Sequence, residues 1–286
     1  MSQETDWMRG QDGEQAPSSN LRMDIPHPAR MYDYYLGGKD NFPADREAAE
    51  QVKALVPYID VIARQNRGFL ARAVVDTSIS GIDQFLDIGT GIPTAGNTHQ
   101  IAQAVNPQAR VAYVDNDPIV LAHARALMSG SGHGITRVIQ ADLRDPDAIL
   151  GDPAVRGLLE LDQPCALVLA AILHFIPDSD HPHDLVKRLL EPLAPGSRLI
   201  LSHASSETDD PADEEHAEEV GNQVKDSYSK ATAQLHLRTR AEIASFFDGL
   251  DMIEPGLVPV ATWHGKPTEQ IRWASRGILG AVGIKR

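Results

Sequence analysis

The sequence predicts an α/β fold built on a mostly parallel sheet, and three observations carry that expectation. Short apolar runs alternate with amphipathic segments, as in successive strand–helix units. Several of those runs end in an acid or open onto glycines, as strands do when they deliver a ligand-facing loop. The chain closes on two strand-like stretches, Met252 to Val260 and Ile278 to Ile284, with no convincing helix between them. That ending suggests an antiparallel pair along one edge of the sheet.

Residues 1–24 are rich in Gln, Ser, Gly and acids and lack any apolar period, so a disordered tail is expected there. Residues 25–80 read as a helical cap. Tyr32, Tyr35, Leu55, Ile59, Ile62 and Phe69 fall at helical spacing, while Gly37-Gly38 and Pro43 interrupt them. Residues 81–286 read as the main α/β domain. Its expected buried strands are Phe85 to Ile88, Val111 to Val114, Val138 to Ile139, Ala166 to Leu173 and Leu199 to Leu201. Helices are expected over Thr94 to Val105 and Asp117 to Met128, the latter with Pro118 behind an Asp cap. The acidic run Glu207 to Glu219 reads as a solvated loop and helix start. Thr239 reads as the N-cap of a helix over Arg240 to Phe247, with Glu242 in its first turn.

Composition narrows the partners. A net charge of -14 argues against a nucleic-acid footprint, which needs clustered Lys and Arg, and favours a small-molecule substrate. No apolar run approaches the ~18 residues of a membrane span. The N-terminus shows no basic start followed by an apolar stretch. Cys165 is the single cysteine and lies in an apolar run, which fits a packed thiol in a reducing, cytoplasmic setting. The sequence carries no signal for oligomeric state.

The chemistry concentrates at three strand ends. In Phe85-Leu86-Asp87-Ile88-Gly89-Thr90-Gly91 a strand runs into a glycine turn whose backbone can approach a ligand closely. Asp87 stands where a carboxylate can accept from a cationic group, such as the ammonium of an amino-acid moiety, and would repel a pyrophosphate. Val111-Ala112-Tyr113-Val114-Asp115 ends in an acid 24 residues after Gly91, where dinucleotide-type folds bind ribose hydroxyls. Asp115 is therefore the expected ribose clamp, Asn116 lies beside the base, and Asp117 caps the next helix. Ile139-Gln140-Ala141-Asp142-Leu143 ends a third strand; Asp142 could accept from an exocyclic adenine amine while Leu143 packs on the ring.

With these residues in place, the sequence resembles the class I S-adenosylmethionine-dependent methyltransferases, a Rossmann-like class. More narrowly, His27-Pro28-Ala29-Arg30-Met31-Tyr32-Asp33-Tyr34-Tyr35-Leu36-Gly37-Gly38-Lys39-Asp40-Asn41-Phe42 is similar to the signature of an actinobacterial methyltransferase family formerly grouped as a domain of unknown function. Leu86 to Asn97, Tyr113 to Leu127, Leu173 to Asp178 and Glu254 to Val258 resemble that family too. The resemblance implies a seven-stranded, mostly parallel sheet with a C-terminal antiparallel pair, and S-adenosylmethionine as cofactor. It implies no particular acceptor. Pro93 stands where the broad class has a third glycine; it lacks an N–H donor, and Gly96 could restore close packing.

The substrate side is expected from fewer signals. Tyr32, Tyr34 and Tyr35 could cover the cofactor's methionine end. Arg64, Asn66 and Arg67 could donate to its carboxylate, although most of them are expected to face water. His174 follows the fourth apolar run, at the rim where open α/β sheets bind substrates, and is the expected general base. His181, His183 and His203 also follow sheet ends. The cluster His174, His181 and His183 lacks the compact spacing of a zinc motif, so no metal is expected. Two rival readings share parts of this pattern: a nicotinamide-dependent oxidoreductase, and a non-catalytic protein that senses the cofactor. The first is disfavoured by Asp87, Pro93 and the final strand pair.

Overall fold

The computed structural model describes residues 22–93, 96–128, 135–207 and 214–286; most of the expected tail lies outside them. Five parallel strands form the centre of the sheet: β1 (Gln84–Ile88), β2 (Arg110–Asp115), β3 (Ile135–Gln140), β4 (Ala166–Ala170) and β5 (Arg198–Ala204). The spatial order is β3-β2-β1-β4-β5. Chain order therefore reverses between β1 and β4, and the crevice beyond their carboxyl ends is where such sheets bind ligands.

These strands are apolar because both faces are covered. Successive residues of a strand point to opposite sides: Leu86 and Ile88 join one core with Leu167, Leu169, Leu199 and Leu201, whereas Phe85 joins the other with Val111, Val168 and Ile200. The first core is closed by the helix Pro182–Leu190 through Leu185, Val186 and Leu189. The second is closed by the C-terminal half of α3 (Ile59–Ile79), through Phe69, Leu70, Ala73 and Val74. Cys165 is fully buried, and burial pushes its thiol up to about 12, which makes it packing rather than a nucleophile.

The C-terminal edge is more broken than expected. Met252 to Val260 forms two short strands, β6 (Leu250–Met252) and β7 (Val258–Pro259), separated by a turn in which the Gly256 N–H donates to the Ile253 carbonyl. Both pair antiparallel with β8 (Ile278–Lys285), which also runs antiparallel to β5. The sheet thus has eight strands. Between β7 and β8 lies a short helix (Glu269–Ala274) capped by the Thr268 side chain, where no helix was expected. Its polar residues hide the helical period, so the cap was the only legible sign.

The cap is built from α1 (Pro28–Tyr35), α2 (Pro43–Leu55) and the N-terminal half of α3. His27 caps α1 by accepting from the Ala29 N–H, and Pro28 supplies the first helical φ. Arg30 and Asp45 form a fully buried ion pair at 3.2 Å, while Asp45 also accepts from the His27 and Phe42 N–H groups. Asp33 accepts from the Asp40 N–H and the Asn41 amide. Most polar residues of the His27–Phe42 signature are therefore staples that fix the cap. Tyr228 and Leu235, from the segment after the helix Glu214–Ser227, join Met31, Tyr35, Val52 and Ala63 in its apolar cluster.

Candidate active site

A cavity of about 610 Å³ runs from the carboxyl ends of β1, β2, β3 and β4 up into the cap. That volume lies within the roughly 300–1,000 Å³ of small-molecule sites. Its floor is polar and tightly wired; its upper walls are mostly aliphatic and aromatic.

The floor is set by backbone hydrogen bonds between strand ends. The Gly89 N–H donates to the Val114 carbonyl at 2.8 Å, and Gly91 donates to Asp115 Oδ2 at 2.9 Å. Gly89 and Gly91 have φ of +75° and +66°, and a Cβ on Gly89 would lie 2.5 Å from Ile172 Cγ1. Only glycine fits that first turn. Thr90 Oγ1 lies 3.3 Å from the carbonyl oxygens of Asp87 and Val114 and donates to them. The helix α4 (Thr98–Val105) begins at Thr98 rather than near Thr94, and Thr98 Oγ1 donates to Asp87 Oδ2 at 2.6 Å. Residues 94 and 95 lie outside the described residues.

Asp115 is 7% exposed, with Oδ1 accepting from the Asp117 N–H and Oδ2 from Gly91. Each oxygen keeps a second lone-pair direction, which suits a vicinal diol. Asp117 Oδ1 caps α5 (Pro118–Met128) through the Ile119 N–H. Burial raises the Asp87 and Asp115 carboxyls to about 6; hydrogen bonds from Thr98 and from backbone N–H groups oppose the rise. Among the described residues neither acid has an ion-pair partner, so the floor is a buried, electron-rich surface suited to a cationic ligand. Asn66 adds to it. Its side chain is 3% exposed on the cavity wall, its Nδ2 donates to Tyr32 Oη, and its Oδ1 has no hydrogen-bond partner. A ligand ammonium would satisfy that orphaned acceptor.

Asp142 lies across the floor from Asp87. Arg144 donates to it from Nε at 2.9 Å and from Nη2 at 2.6 Å, and this pairing holds its carboxyl below the usual range. Asn116 Nδ2 reaches it at 3.4 Å. Leu143, buried, completes this side. The structure thus brings Asp87, Gly89, Thr90, Gly91, Asp115, Asn116, Asp142 and Leu143 around one cavity.

Tyr34 is not among them. It sits one helical step away from Tyr35, and its hydroxyl donates to Glu50 on α2. Tyr32 and Tyr35 line the cavity instead. Of the three residues expected mostly to face water, Arg64 does so, paired with Asp60 at 2.6 Å. Asn66 is buried, and Arg67 lines the cavity and donates to the Gly96 carbonyl.

His174 reaches the cavity wall through a sharp turn after β4, in which Ala171 adopts a φ of +56°. Its Nδ1 accepts from the Ala204 N–H at 3.2 Å, so the neutral ring carries its proton on Nε2. Burial and the neighbouring His203 and Arg238 hold it well below the ordinary histidine range. An Nε2–H imidazole donates a hydrogen bond; it does not take a proton. The expected general-base role therefore does not fit this geometry.

The arrangement is locked from behind. Arg238, 3% exposed, donates to the Leu173 and Ile176 carbonyls, to His203 Nε2 at 2.8 Å and to Asp178. His203 Nδ1 in turn donates to the Ala204 carbonyl at 2.7 Å. Sequence reading missed Arg238 and Thr98, because each acts on a partner distant in sequence.

Comparison with known proteins agrees with this geometry. Residues 14–286 match the family described as S-adenosyl methyltransferase, and the chain belongs to that family. It is similar to a solved DUF574-family protein from Streptomyces avermitilis, at 42% identity and a TM-score of 0.86, over 93% of this chain and 100% of that one. A candidate methyltransferase from Thermobifida fusca matches at 35% identity and a TM-score of 0.83, over 94% and 98% of the two chains. Magnesium protoporphyrin IX methyltransferase from Synechocystis shares the fold at 14% identity, with a TM-score of 0.52 over 90% of this chain and 93% of that one. No curated protein matches. The chain is an S-adenosylmethionine-dependent methyltransferase with the Rossmann-like sheet of its class.

Proposed function

We propose that this enzyme methylates a small-molecule acceptor held between the strand-end floor and the helical cap. One observation carries the reading: a single cavity joins the floor acids to the apolar cap, so donor and acceptor can share it. When bound, S-adenosylmethionine supplies a methyl group already activated on a sulfonium, so alignment and exclusion of water account for most of the catalysis. In this reading Asp115 holds the ribose hydroxyls, and Asn116, Asp142 and Leu143 hold the adenine. Gly89, Thr90 and Gly91 bring their backbone against the ligand. Asp87 and the Asn66 amide oxygen receive the ammonium, and the helical segment 25–80 roofs the acceptor.

His174 then serves as a hydrogen-bond donor at the cavity wall. The acidic chain argues against nucleic acid as the acceptor. Among the described residues no helix is long and apolar enough to cross a membrane, and a lone buried cysteine suits a reducing cytoplasm. The Streptomyces and Thermobifida neighbours favour an actinobacterial source.

Thermal unfolding with S-adenosylhomocysteine and with NAD tests the assignment. Stabilisation by the homocysteine compound and not by NAD is expected; stabilisation by NAD alone would overturn it. Transfer of labelled methyl to a component of a small-molecule extract separates an enzyme from a cofactor sensor.

A further inference from the structure

The upper half of the cavity constrains the acceptor through what it lacks as well as what it presents. Much of its wall is apolar, from Val52, Leu55, Ile59, Phe175, Val224 and Leu237. That surface favours an acceptor with an apolar body, because a polar group set against it would lose its hydration without replacement hydrogen bonds.

Among the polar groups facing that body, His174 is fixed as a hydrogen-bond donor. His174 presents Nε2–H, since its Nδ1 is committed to the Ala204 N–H, and Nε2 has no partner among the described residues. Tyr35 and Tyr228 line the same region, and burial keeps both phenols protonated. Carboxylates are absent from this half among the described residues. Of the four acids on the cavity, Asp87, Asp115 and Asp142 belong to the floor, and Glu207 at the rim accepts from the Arg240 N–H. His27 is committed through Nδ1 to the Ala29 N–H and lies 3.4 Å from Asp117, at the floor side. His236 is the remaining histidine on the cavity; the charges around it are Arg238, Asp178, Lys225 and Asp180.

With His174 fixed as a donor and no carboxylate in this half among the described residues, the geometry suits a nucleophile that arrives already deprotonated. We propose that the methyl acceptor is the oxyanion of an apolar organic acid or acidic phenol, held by the Nε2–H of His174. This rests on the methyltransferase assignment above and adds the acceptor's chemical class. In the transfer the oxyanion's electron pair forms the O–CH3 bond. The S–CH3 bond breaks with its pair left on sulfur, and no proton moves. An anion and a sulfonium thereby give a neutral ester or ether and a neutral thioether. When S-adenosylmethionine is bound, its sulfonium faces the oxyanion with opposite charge, which adds attraction in a low-dielectric site.

Calorimetry on the S-adenosylhomocysteine-loaded protein at mildly alkaline pH tests this, with 1-naphthoate, 1-naphthamide and 1-naphthylamine as probes and 4-nitrophenolate against 4-nitroanisole as a second pair. At least one anion is expected to bind about tenfold tighter than its neutral counterpart, and the pair that does so tells carboxylate from phenolate. His174→Ala should abolish that preference while leaving S-adenosylhomocysteine affinity within twofold, about 0.4 kcal/mol. His174→Gln, which keeps an N–H donor, should recover most of it. Equal or tighter binding of the amide, amine or anisole, or no binding by any probe, would overturn the proposal. So would an anion preference that survives His174→Ala, or one lost on His236→Ala and not on His174→Ala. If the unloaded wild-type protein failed to bind S-adenosylhomocysteine at all, the cofactor assignment would fall instead.

Discussion

The two halves of the cavity are stabilised in opposite ways. On the floor, two strand ends are cross-wired through backbone N–H groups: Gly89 to Val114, Gly91 to Asp115, and Asp117 to Asp115. Its geometry belongs to the sheet and cannot change without breaking strand pairing. In the cap, positions are set by side chains packing between α1, α2, α3 and the segment around Tyr228 and Leu235. Contacts of that kind can be re-cut by exchanging one apolar residue for another. A rigid floor for a fixed cofactor beneath a re-cuttable roof for a variable acceptor is how one fold accommodates many substrates.

The largest effect is expected where the floor is least tolerant. Gly89→Ala places a Cβ against Ile172 at a φ that side chains rarely adopt. We expect S-adenosylhomocysteine affinity to fall at least about thirtyfold and stability by roughly 1–3 kcal/mol. An unchanged melting temperature with unchanged affinity would show the turn to be far softer than its wiring implies.

A smaller effect follows from pH. Burial raises the Asp87 and Asp115 carboxyls from 3.8 to about 6. Ionising them in the folded protein is therefore unfavourable: their stabilising contribution is complete below 3.8 and is lost as the pH rises through about 6. A ligand ammonium needs the ionised form, so the two trends run in opposite directions. Across the acid side of pH 6, cofactor affinity should weaken while these two groups stabilise the ligand-free fold. Affinity measured by calorimetry that stayed flat across this range would separate the floor acids from the ammonium.

The smallest effect is expected outside the cavity. Tyr34→Phe removes a hydroxyl whose partner is Glu50 on the cap surface, so stability should change by no more than ~0.5 kcal/mol and cofactor affinity by less than about twofold. A larger loss of affinity would bring Tyr34 back to the site from which the geometry removes it.

The same contrast explains what the sequence made legible. Asp87, Asp115 and Asp142 could be placed because strand ends in a parallel sheet all open onto one rim, so a period and an order suffice. Thr98 and Arg144, which tune two of those acids, were invisible because their partners are set by loop geometry. In the cap, a shift of one residue turns a helical side chain by a quarter of a turn, and this separates Tyr34 from Tyr35. His174 was found by its position after β4, but its role depends on which ring nitrogen meets Ala204, a contact between the turn after β4 and the end of β5 that no local pattern records. Likewise the break in the last strand and the helix Glu269–Ala274 depend on how the chain packs along β8.

The most direct test of the floor as the cofactor clamp is a calorimetric titration of Asp115→Ala with S-adenosylmethionine, beside the wild type, with the variant's fold checked by circular dichroism. A loss of more than about tenfold in affinity, or ~1.4 kcal/mol, is the predicted result; undiminished affinity in a folded variant would contradict it.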